Sequence, residues 1–414
     1  MVLATVPVPE KHLADYAQAA GEEAVERLRE AARPLQGARL LELNSTAFGG
    51  GVAELLYTHV PLLNDLGIET TWAVLEGSDE YFAVTKAVHN ALQGASVEWT
   101  ARMATTYWDR IVANAAEVPD DYDLYLIHDP QPAAVLRVLE QEDRRRGRWL
   151  WRCHIDLSVP HPPVWEFFEP IVNRYDAAIF TMQDFVQPGV TGPEVALIPP
   201  SIDPLSVKNR PVSEDTLREV LDAYAIDPKR PIVTQVSRFD PWKDPLGVID
   251  AWRLARAEIP DVQLIMAGSL ASDDPEGMAY LDLTEEHRAG DPDIHLFTNL
   301  QGVGDLEVSV FQQAAEVVVQ KSTREGFGLV VSEAMWKGKP VVGGNVGGIR
   351  LQISDGENGF LVDDVGSAAD RIVRLLHDPD RRERMGAAAR ERVRDGFLSL
   401  RELEDYLRLA VRLT

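Results

Sequence analysis

Short apolar runs alternate with amphipathic segments along most of the chain. Strands buried on both faces of a parallel sheet are typically short and rich in Val, Ile and Leu. Such runs occur at Arg39–Asn44, Thr71–Leu75, Asp123–His128, Leu150–His154 and Ala177–Phe180, then at Pro231–Val236, Val262–Ala267, Ile294–Phe297, Glu316–Gln320 and Pro340–Val342. Strands that alternate with helices predict doubly wound parallel sheets. The segment Pro199–Pro211, rich in Pro, Ser and Asp, is the predicted linker between two such sheets.

The intervening segments predict helices. The first should run from about Leu13 to about Ala32, and the next should begin near Val52. Pro61 lies inside the second helical pattern and should kink or restart that helix, because proline lacks the amide that the ladder requires. Two later patterns predict a helix from Leu329 to Lys337 and a C-terminal helix from Leu398 to Leu413.

Length and charge narrow the class of protein. A chain of 414 residues is too long for one ordinary core and predicts two or three domains. With 45% hydrophobic and 26% charged residues, its composition is that of a globular protein. The formal net charge of −25 disfavours nucleic acid and anionic membranes as partners, since both would repel the chain. No basic amphipathic surface helix is found, so a small soluble substrate is expected rather than a lipid.

Cysteine usage and the N-terminus indicate a cytoplasmic protein. Cys153 is the only cysteine, which excludes a disulfide framework and a Cys-based metal site. The first residues lack both a charged region and a long apolar core, and no segment approaches the length of an apolar membrane span. We therefore expect a cytoplasmic location.

Two carboxylates flank the start of the helix predicted at 329–337. Glu325 lies eight residues before Glu333, on a turn that contains Gly326 and Gly328. The unpaired amides of the helix N-terminus should lie between the two carboxylates and can face an anion. This order suits a ligand with hydroxyls on both sides of a phosphate, as in a nucleotide sugar. Alternatively, Glu325 interacts only with the helix dipole, and Glu333 is an ordinary surface residue.

A basic motif follows the strand predicted at Pro231–Val236. Arg238 and Lys243 are five residues apart in the sequence Ser237-Arg-Phe-Asp-Pro-Trp-Lys243. The carboxyl ends of strands in open α/β sheets are common phosphate-binding positions. Arginine offers a fork to diphosphate oxygens and lysine a point charge. The alternative is two solvated cations on a loop.

Three consecutive glycines, Gly49–Gly51, lie between a predicted strand and a predicted helix. Backbone amides at such a position can approach a phosphate. The sequence matches neither the dinucleotide fingerprint nor a P-loop. A tight turn alone would need at most one glycine, so three favour close approach of a diphosphate or of bound sugars.

Together, the basic motif and the two carboxylates resemble the retaining glycosyltransferases of family 4. In that family an Arg…Lys pair and a Glu-x7-Glu motif bind the nucleoside diphosphate sugar. Further segments resemble one group of the family, the trehalose-forming synthases, and these are Asn44–Glu54, His128–Pro132, Trp151–Asp156 and Pro199–Asp203. The similarity runs from about residue 10 to the C-terminus.

The resemblance implies the α/β GT-B fold, with two doubly wound Rossmann-like domains that face a central cleft. The expected domains are residues 1–205 on the acceptor side and residues 206–395, which bind the nucleotide sugar. A C-terminal helix in residues 396–414 is expected to pack back on the first domain.

The donor site implied by the resemblance combines these motifs. Arg238 and Lys243, with amides of the glycine turn, would stabilise the diphosphate leaving group. Glu325 would hold the 3- and 4-hydroxyls of glucose, and Glu333 the ribose hydroxyls. The predicted donor-binding set is Gly49, Gly50, Gly51, Ser237, Arg238, Lys243, Asn299, Leu300, Glu325, Gly326, Phe327, Gly328 and Glu333. Asn299 and Leu300 would contact the base through their backbone, which leaves ADP-, UDP- and GDP-glucose open.

His154 resembles the family histidine near the 6-hydroxyl of the donor sugar, although a hydrogen-bonded core histidine is the alternative. The predicted catalytic set is Arg238, Lys243, Glu325 and His154. The predicted acceptor-binding set is His128, Asp129, Gln131, Arg152 and Asp156. Asp156 would orient His154 or hold an acceptor hydroxyl. Asp129 could equally cap a helix that starts near Pro130.

The implied reaction is reversible transfer of glucose from NDP-glucose to free glucose, with retention, to form α,α-trehalose. No carboxylate nucleophile is identified, which favours a front-face route. NDP-glucose is a co-substrate, no cofactor is required and no dedicated metal site is expected, while stimulation by Mg²⁺ stays open. The expected partners are small-molecule sugars and nucleotide sugars, and a homodimer is considered. A trehalose phosphorylase, a sugar-nucleotide epimerase of the same fold and a non-catalytic nucleotide-sugar-binding protein remain alternatives.

Overall fold

The computed structural model of the protein describes residues 3–48, 50–270 and 275–414. The chain divides into two compact units. The first unit comprises Met1–Ser201 and Ser399–Thr414, and the second comprises Ile202–Leu398.

The first unit is a seven-stranded sheet with helices on its faces. Its strands are β1 (Ala4–Thr5), β2 (Arg39–Asn44), β3 (Glu69–Val74), β4 (Leu124–His128), β5 (Arg148–Arg152), β6 (Ala177–Phe180) and β7 (Glu194–Leu197). Its helices before the second unit are α1 (Ala17–Ala20), α2 (Glu22–Ala32), α3 (Gly51–Asp65), α4 (Asp79–Leu92), α5 (Ala101–Ala115), α6 (Val135–Gln141) and α7 (Pro162–Val172). The strand order is β1-β3-β2-β4-β5-β6-β7, and only the pairing of β1 with β3 is antiparallel.

The second unit is a six-stranded parallel sheet in the order β10-β9-β8-β11-β12-β13. Its strands are β8 (Ile232–Val236), β9 (Gln263–Gly268), β10 (Ile294–Thr298), β11 (Val317–Gln320), β12 (Val341–Gly344) and β13 (Gly359–Val362). Its helices are α8 (Glu214–Ala223), α9 (Pro245–Arg256), α10 (Pro275–Arg288), α11 (Asp305–Ala314), α12 (Leu329–Trp336), α13 (Ile349–Gln352), α14 (Val365–His377) and α15 (Pro379–Gly396).

The last helix, α16 (Ser399–Leu413), belongs to the first unit and packs against α2 and α3. Its Leu400, Leu403 and Leu407 are buried in one apolar cluster with Leu124 and Leu126 of β4. Full burial of such a leucine side chain contributes about 1.5–3 kcal/mol. The alternate β4 side chains, such as Ile127, enter the cluster on the opposite face of the sheet. The apolar residues at the first four positions of β4 therefore follow from its burial on both faces.

The strands predicted from apolar runs are confirmed, with ends that shift by a few residues. Trp149 lies inside β5, which ends at Arg152 rather than His154. The structure adds three strands that the pattern did not predict, β1, β7 and β13. These strands are only two to four residues long, and β7 was missed although Val195, Ala196 and Leu197 form a short apolar run, most of it exposed.

One helix prediction was wrong, and the prediction that the helix kinks or restarts at Pro61 was wrong as to the restart. The single helix expected from Leu13 to Ala32 is interrupted at Gly21, whose φ of 91° is incompatible with a right-handed helix. A 3₁₀ turn at Leu13–Tyr16 and the short α1 precede this break. By contrast, α3 does not restart at Pro61, since it continues unbroken to Asp65 with Pro61 buried.

Candidate functional site

The basic motif of the second unit is shaped by Asp240. Its carboxylate accepts hydrogen bonds from the amides of Trp242 and Lys243, at 3.0 and 3.1 Å, and so caps the 3₁₀ turn Pro241–Lys243. The other carboxylate oxygen of Asp240 lies 3.3 Å from Arg238 Nη2. One aspartate therefore fixes the backbone at Lys243 and also holds the mostly exposed guanidinium of Arg238. Ser237 begins this segment, directly after β8, and its amide bonds to the carbonyl of Ala267.

Lys243 and Glu325 form a direct ion pair. Lys243 Nζ lies 2.6 Å from Glu325 Oε2, and Ser322 Oγ donates to the same oxygen at 3.2 Å. The two charged residues follow β8 and β11, which are neighbours in the sheet. Because the carboxyl ends of parallel strands meet at one edge, residues 82 positions apart in the chain come into contact. The structure thus brings together two of the predicted catalytic residues.

Three residues that were not predicted from the sequence, Gly347, Gly348 and Gln352, fix the backbone of the turn that carries Glu325. Gly348 donates its amide to the carbonyl of Glu325. A Cβ on Gly347 would lie 1.8 Å from that carbonyl oxygen, so no larger residue fits there unless the turn moves. The buried amide of Gln352 donates to the carbonyl of Phe327 at 2.6 Å. The pair Gly347-Gly348, close after a strand, was the available sequence signal.

Gly328 ends this turn with a φ of 82° and immediately precedes α12. This left-handed conformation favours glycine, and it lets the chain enter the helix directly after the turn. The ring of Phe327 is buried against Phe397, so only the backbone of Phe327 can contribute to a donor site here. The same holds for Gly326 and Gly328, which have no side chain beyond hydrogen.

Glu333 lies on α12 and is almost fully buried, with 1% of its surface exposed. Its Oε1 is 3.6 Å from Lys208 Nζ, and its Oε2 has no hydrogen-bond partner among the described residues. A buried carboxylate oxygen without a partner is destabilising. The interpretation of Glu333 as an ordinary surface residue was therefore wrong.

Asn299 uses its side chain within the fold. Its Oδ1 accepts from the amide of Leu270 at 2.8 Å, and its Nδ2 donates to the carbonyl of the same residue at 3.0 Å. The side chain of the neighbouring Leu300 is 72% exposed. The carbonyl of Asn299 accepts from the amide of Gly302, and the predicted backbone contacts to a base stay a prediction.

In the first unit, a chain of hydrogen bonds links three side chains. Glu42 Oε2 lies 2.6 Å from His128 Nε2, and His128 Nδ1 lies 2.9 Å from His154 Nε2. Burial and the nearby Arg152 guanidinium hold the pKa of His154 well below its ordinary value, so this imidazole is neutral near pH 7. Glu42 was not predicted as a site residue, although a Glu inside an otherwise apolar strand is a visible signal.

Asp129 has a local role different from the helix cap considered from the sequence. Its Oδ1 accepts from the amide of His154 at 2.8 Å, and α6 begins only at Val135, so the capping prediction was wrong. Burial raises the pKa of Asp129 to about 6. Its φ of 63° lies in the left-handed region, which aspartate tolerates better than most residues.

The remaining predicted acceptor residues are buried to different degrees. The guanidinium of Arg152 is fully buried, and none of its nitrogens has a hydrogen-bond partner in the described part of the chain. Asp156 Oδ1 accepts from the amide and hydroxyl of Ser158, at 3.0 and 2.5 Å. The ring of His154 is contacted by His128 rather than by Asp156, so that orienting role was wrongly predicted. Gln131 is half-buried, and its backbone carbonyl accepts a hydrogen bond from the hydroxyl of Tyr81.

The glycine loop is described only in part. Gly49 lies outside the described residues. Gly50 has a φ of 108° and immediately precedes α3, and Gly51 is the first residue of that helix. The amides at this helix N-terminus follow β2, as the sequence predicted.

Residues 3–48, 50–270 and 275–414 contain neither a metal-ligand group nor a membrane-spanning helix. No three or more His, Cys, Asp or Glu side chains in these residues are grouped so that they could hold a metal ion. Within the same ranges, no helix combines the length and apolar character needed to span a bilayer.

Comparisons with known proteins agree on the family. The family model described as "Trehalose synthase, N-terminal domain" matches residues 42–187, and the one described as "Glycosyl transferases group 1" matches residues 218–392. A trehalose synthase of Rubrobacter xylanophilus is 49% identical over 406 residues, which cover 97% of each chain. One from Thermococcus litoralis is 47% identical over 401 residues, which cover 96% of each.

A solved structure supports the fold. The UDP-forming α,α-trehalose-phosphate synthase of Burkholderia xenovorans superposes with a TM-score of 0.72 at 14% identity, and covers 91% of this chain and 100% of its own. The predicted two-domain α/β architecture of the GT-B glycosyltransferases is confirmed. With identity near 49% over almost the whole chain, the protein belongs to the trehalose synthase family.

Proposed function

We propose that the protein is a retaining hexosyltransferase that transfers glucose from a nucleoside diphosphate glucose to free glucose and forms α,α-trehalose. The structural observation that carries the proposal is the contact between Lys243 and Glu325 beside the N-terminus of α12. It places a cation for phosphate next to a carboxylate for sugar hydroxyls. Membership of the trehalose synthase family supports the nature of both sugars.

The proposed donor site assigns one chemical task to each side chain. Arg238 and Lys243 neutralise the charge that develops on the departing diphosphate. Glu325 accepts hydrogen bonds from glucose hydroxyls. Glu333 accepts hydrogen bonds from the ribose hydroxyls through its unpartnered Oε2. Because Glu333 is buried, the chain around Lys208 must move for the ribose to reach this oxygen.

In the proposed reaction, the bond between the anomeric carbon and the diphosphate oxygen breaks, and a new bond forms to the anomeric hydroxyl oxygen of the acceptor glucose. The departing phosphate takes the proton of that hydroxyl. Attack and departure on the same face give retention without a covalent glycosyl–enzyme. Trapping such an intermediate on any carboxylate would contradict this route.

The test is a carbon-13 NMR time course with ADP-, UDP- or GDP-glucose and labelled free glucose. We expect growth of the symmetric α,α-1,1 signal together with release of the nucleoside diphosphate. Phosphate-dependent breakdown of trehalose, with no turnover of the three donors, would instead identify a phosphorylase. Donor hydrolysis alone would mean that glucose is the wrong acceptor.

A matched pair of variants separates chemistry from folding. The double variant R238A/K243A should abolish transfer and keep the melting temperature. The control R218A/K229A removes the same charge from two exposed positions of the same unit and should keep transfer. Equal loss in both variants would assign the effect to net charge rather than to the proposed site. A cytoplasmic location and a homodimer stay predictions.

A further inference from the structure

Glu42 is an unusual residue for its position. It lies in the middle of β2, is 2% exposed and is flanked by Leu41 and Leu43 in the apolar cluster of the opposite face. Burial of a carboxylate is costly unless the group is paired and hydrogen-bonded. The partner of Glu42 is His128 Nε2, at 2.6 Å.

This contact determines where the protons lie along the chain of side chains. An ionised carboxylate can only accept, so Nε2 of His128 carries a proton. In neutral His128 the other nitrogen, Nδ1, then has a lone pair and accepts from Nε2–H of His154, 2.9 Å away. Neutral His154 is thereby left with an unprotonated Nδ1.

That last nitrogen is available to a ligand. His154 is half-buried, and among the described residues its Nδ1 has no hydrogen-bond partner, although it is not one of the buried unpartnered atoms. A ring nitrogen with a lone pair and some solvent access can accept a hydrogen bond from a hydroxyl. It cannot donate one in this tautomer.

We propose that Glu42 is a positioning residue which, through His128, fixes His154 in the tautomer whose Nδ1 accepts a hydrogen bond from a sugar hydroxyl. The proposal rests on the proposed function for the nature of the ligand. A hydrogen-bonded pair that served only the stability of the fold would end at His128. Here the second nitrogen of His128 is used as well, and the chain of contacts ends at an accessible atom.

The first test compares kinetics across deoxy sugars. Glucose and glucosyl donors that lack the 2-, 3-, 4- or 6-hydroxyl are assayed with the wild-type protein and with H154A. The penalty of an analogue is its loss of kcat/KM relative to the intact sugar. The analogue whose penalty is present in the wild-type protein and absent in H154A identifies the hydroxyl that His154 contacts. The variant E42L removes the carboxylate that accepts from His128 and puts an apolar side chain of similar volume in its place. We expect it to lose the penalty for the same analogue and to lower kcat/KM for the intact sugars by about 10- to 100-fold.

Two further variants control for burial and charge. Glu402 is also a fully buried carboxylate of the first unit, but it accepts from Ser201 and lies 3.5 Å from His59. E402Q should therefore keep the wild-type penalties and kcat/KM. E42Q keeps an oxygen that can accept from His128, so its kcat/KM should fall between those of the wild-type protein and E42L.

The second test reads the tautomers directly and does not depend on activity. Nitrogen-15 spectra of histidine-labelled protein, assigned with the variants H128Q and H154Q, should show Nε2–H on both rings and an unprotonated Nδ1 on His154. In E42L the His154 pattern should change. A His128 protonated on both nitrogens, or a His154 pattern that E42L leaves unchanged, would overturn the proposal.

The two tests also separate the hydrogen-bond chain Glu42–His128–His154, called the relay below, from the proposed function. If the expected tautomers are found but none of the nucleotide sugars is turned over, the relay stands and the proposed reaction fails. If trehalose is formed but E42L keeps both kcat/KM and the deoxy-sugar penalties, the reaction stands and the relay fails. Should E42L not fold, the wild-type spectra alone decide the relay.

Discussion

The Lys243–Glu325 pair and the Glu42–His128–His154 chain occupy equivalent places in two similar sheets, yet they handle charge in opposite ways. His128 ends β4 and His154 follows β5, as Lys243 and Glu325 follow β8 and β11, while Glu42 lies inside β2. In the second unit, opposite charges touch directly, and both side chains keep some exposure, 16% for Lys243 and 10% for Glu325. In the first unit, Glu42 and His128 are buried, and the pKa of His154 is lowered, so that the chain ends in a neutral ring.

The difference shows which kind of ligand group each arrangement suits. A partly exposed ion pair can exchange partners, because phosphate can replace the carboxylate beside the lysine while hydroxyls replace the lysine beside the carboxylate. A chain that ends in a neutral ring cannot compensate a negative charge on a ligand, but it can fix the direction of one hydrogen bond. The second unit is therefore suited to hold charge, and the first to orient a hydroxyl.

The largest expected effect comes from breaking the ion pair. K243A should lower kcat/KM by about 10²–10³, the loss typical when one fixed donor to a developing negative charge is removed. E325A should cause a comparable loss, and the losses should be close to additive in K243A/E325A, because in the loaded site each side chain contacts a different part of the donor. Steady-state kinetics of all three, with K229A as the control, measure this. A double variant no worse than the more damaged single variant would show that the two residues act as a unit.

The buried carboxyl of Asp129 should make the stability of the protein depend on pH. Since its pKa is raised to about 6 from an unfolded value of roughly 4, the folded protein binds the proton more tightly. The stability from this group is therefore present below about pH 4 and is lost as the pH rises to about 6, by about 3 kcal/mol in total.

D129N keeps an oxygen to accept from the His154 amide and tolerates the left-handed backbone, but it cannot titrate. The free energy of unfolding of D129N should therefore not show the loss with rising pH that Asp129 causes in the wild-type protein. Urea titrations of both proteins between about pH 4 and pH 7 can measure this difference. Parallel stability curves for D129N and the wild-type protein would contradict the assignment.

Glu333 gives a smaller effect, which should separate binding from stability. E333Q removes a buried charge whose Oε2 has no partner, so the melting temperature should stay the same or rise. If the carboxylate binds ribose, the KM for the donor should rise by about tenfold, or about 1.4 kcal/mol. Thermal melts test the expected melting temperature, and kinetics at varied donor concentration test the expected KM. A lower melting temperature with unchanged KM would make Glu333 a structural residue.

The smallest effect is expected at the surface of the first unit. Arg412 of α16 lies 2.9 Å from Glu194 of β7, with both side chains 40% or more exposed. Such pairs contribute about 0–1 kcal/mol. R412A should change the free energy of unfolding by less than that and leave kinetics unchanged. A larger loss would mean that this contact, rather than the buried leucines, fastens α16.

The sequence predicted the strands of the sheet interiors and the carboxyl-end positions of Arg238, Lys243 and Glu325, because burial on both faces leaves a continuous apolar run. It did not predict β7, an exposed strand at the edge of the sheet, although Val195, Ala196 and Leu197 form a short apolar run there. It also missed Gln352 and Glu42, since their roles depend on tertiary contacts with residues 25 and 86 positions away. The helix cap considered for Asp129 was wrong for the same reason, because its partner, the amide of His154, follows another strand.

The placement of α16 has a consequence for synthesis on the ribosome. The first unit is interrupted by Ile202–Leu398, and its apolar face is completed only by the last helix. At about 5–20 residues per second, the ribosome needs roughly 10–40 s to make the intervening segment. During that time the leucines that later contact α16 stay uncovered in the nascent chain. The second unit, continuous in sequence, can fold first, although it begins second.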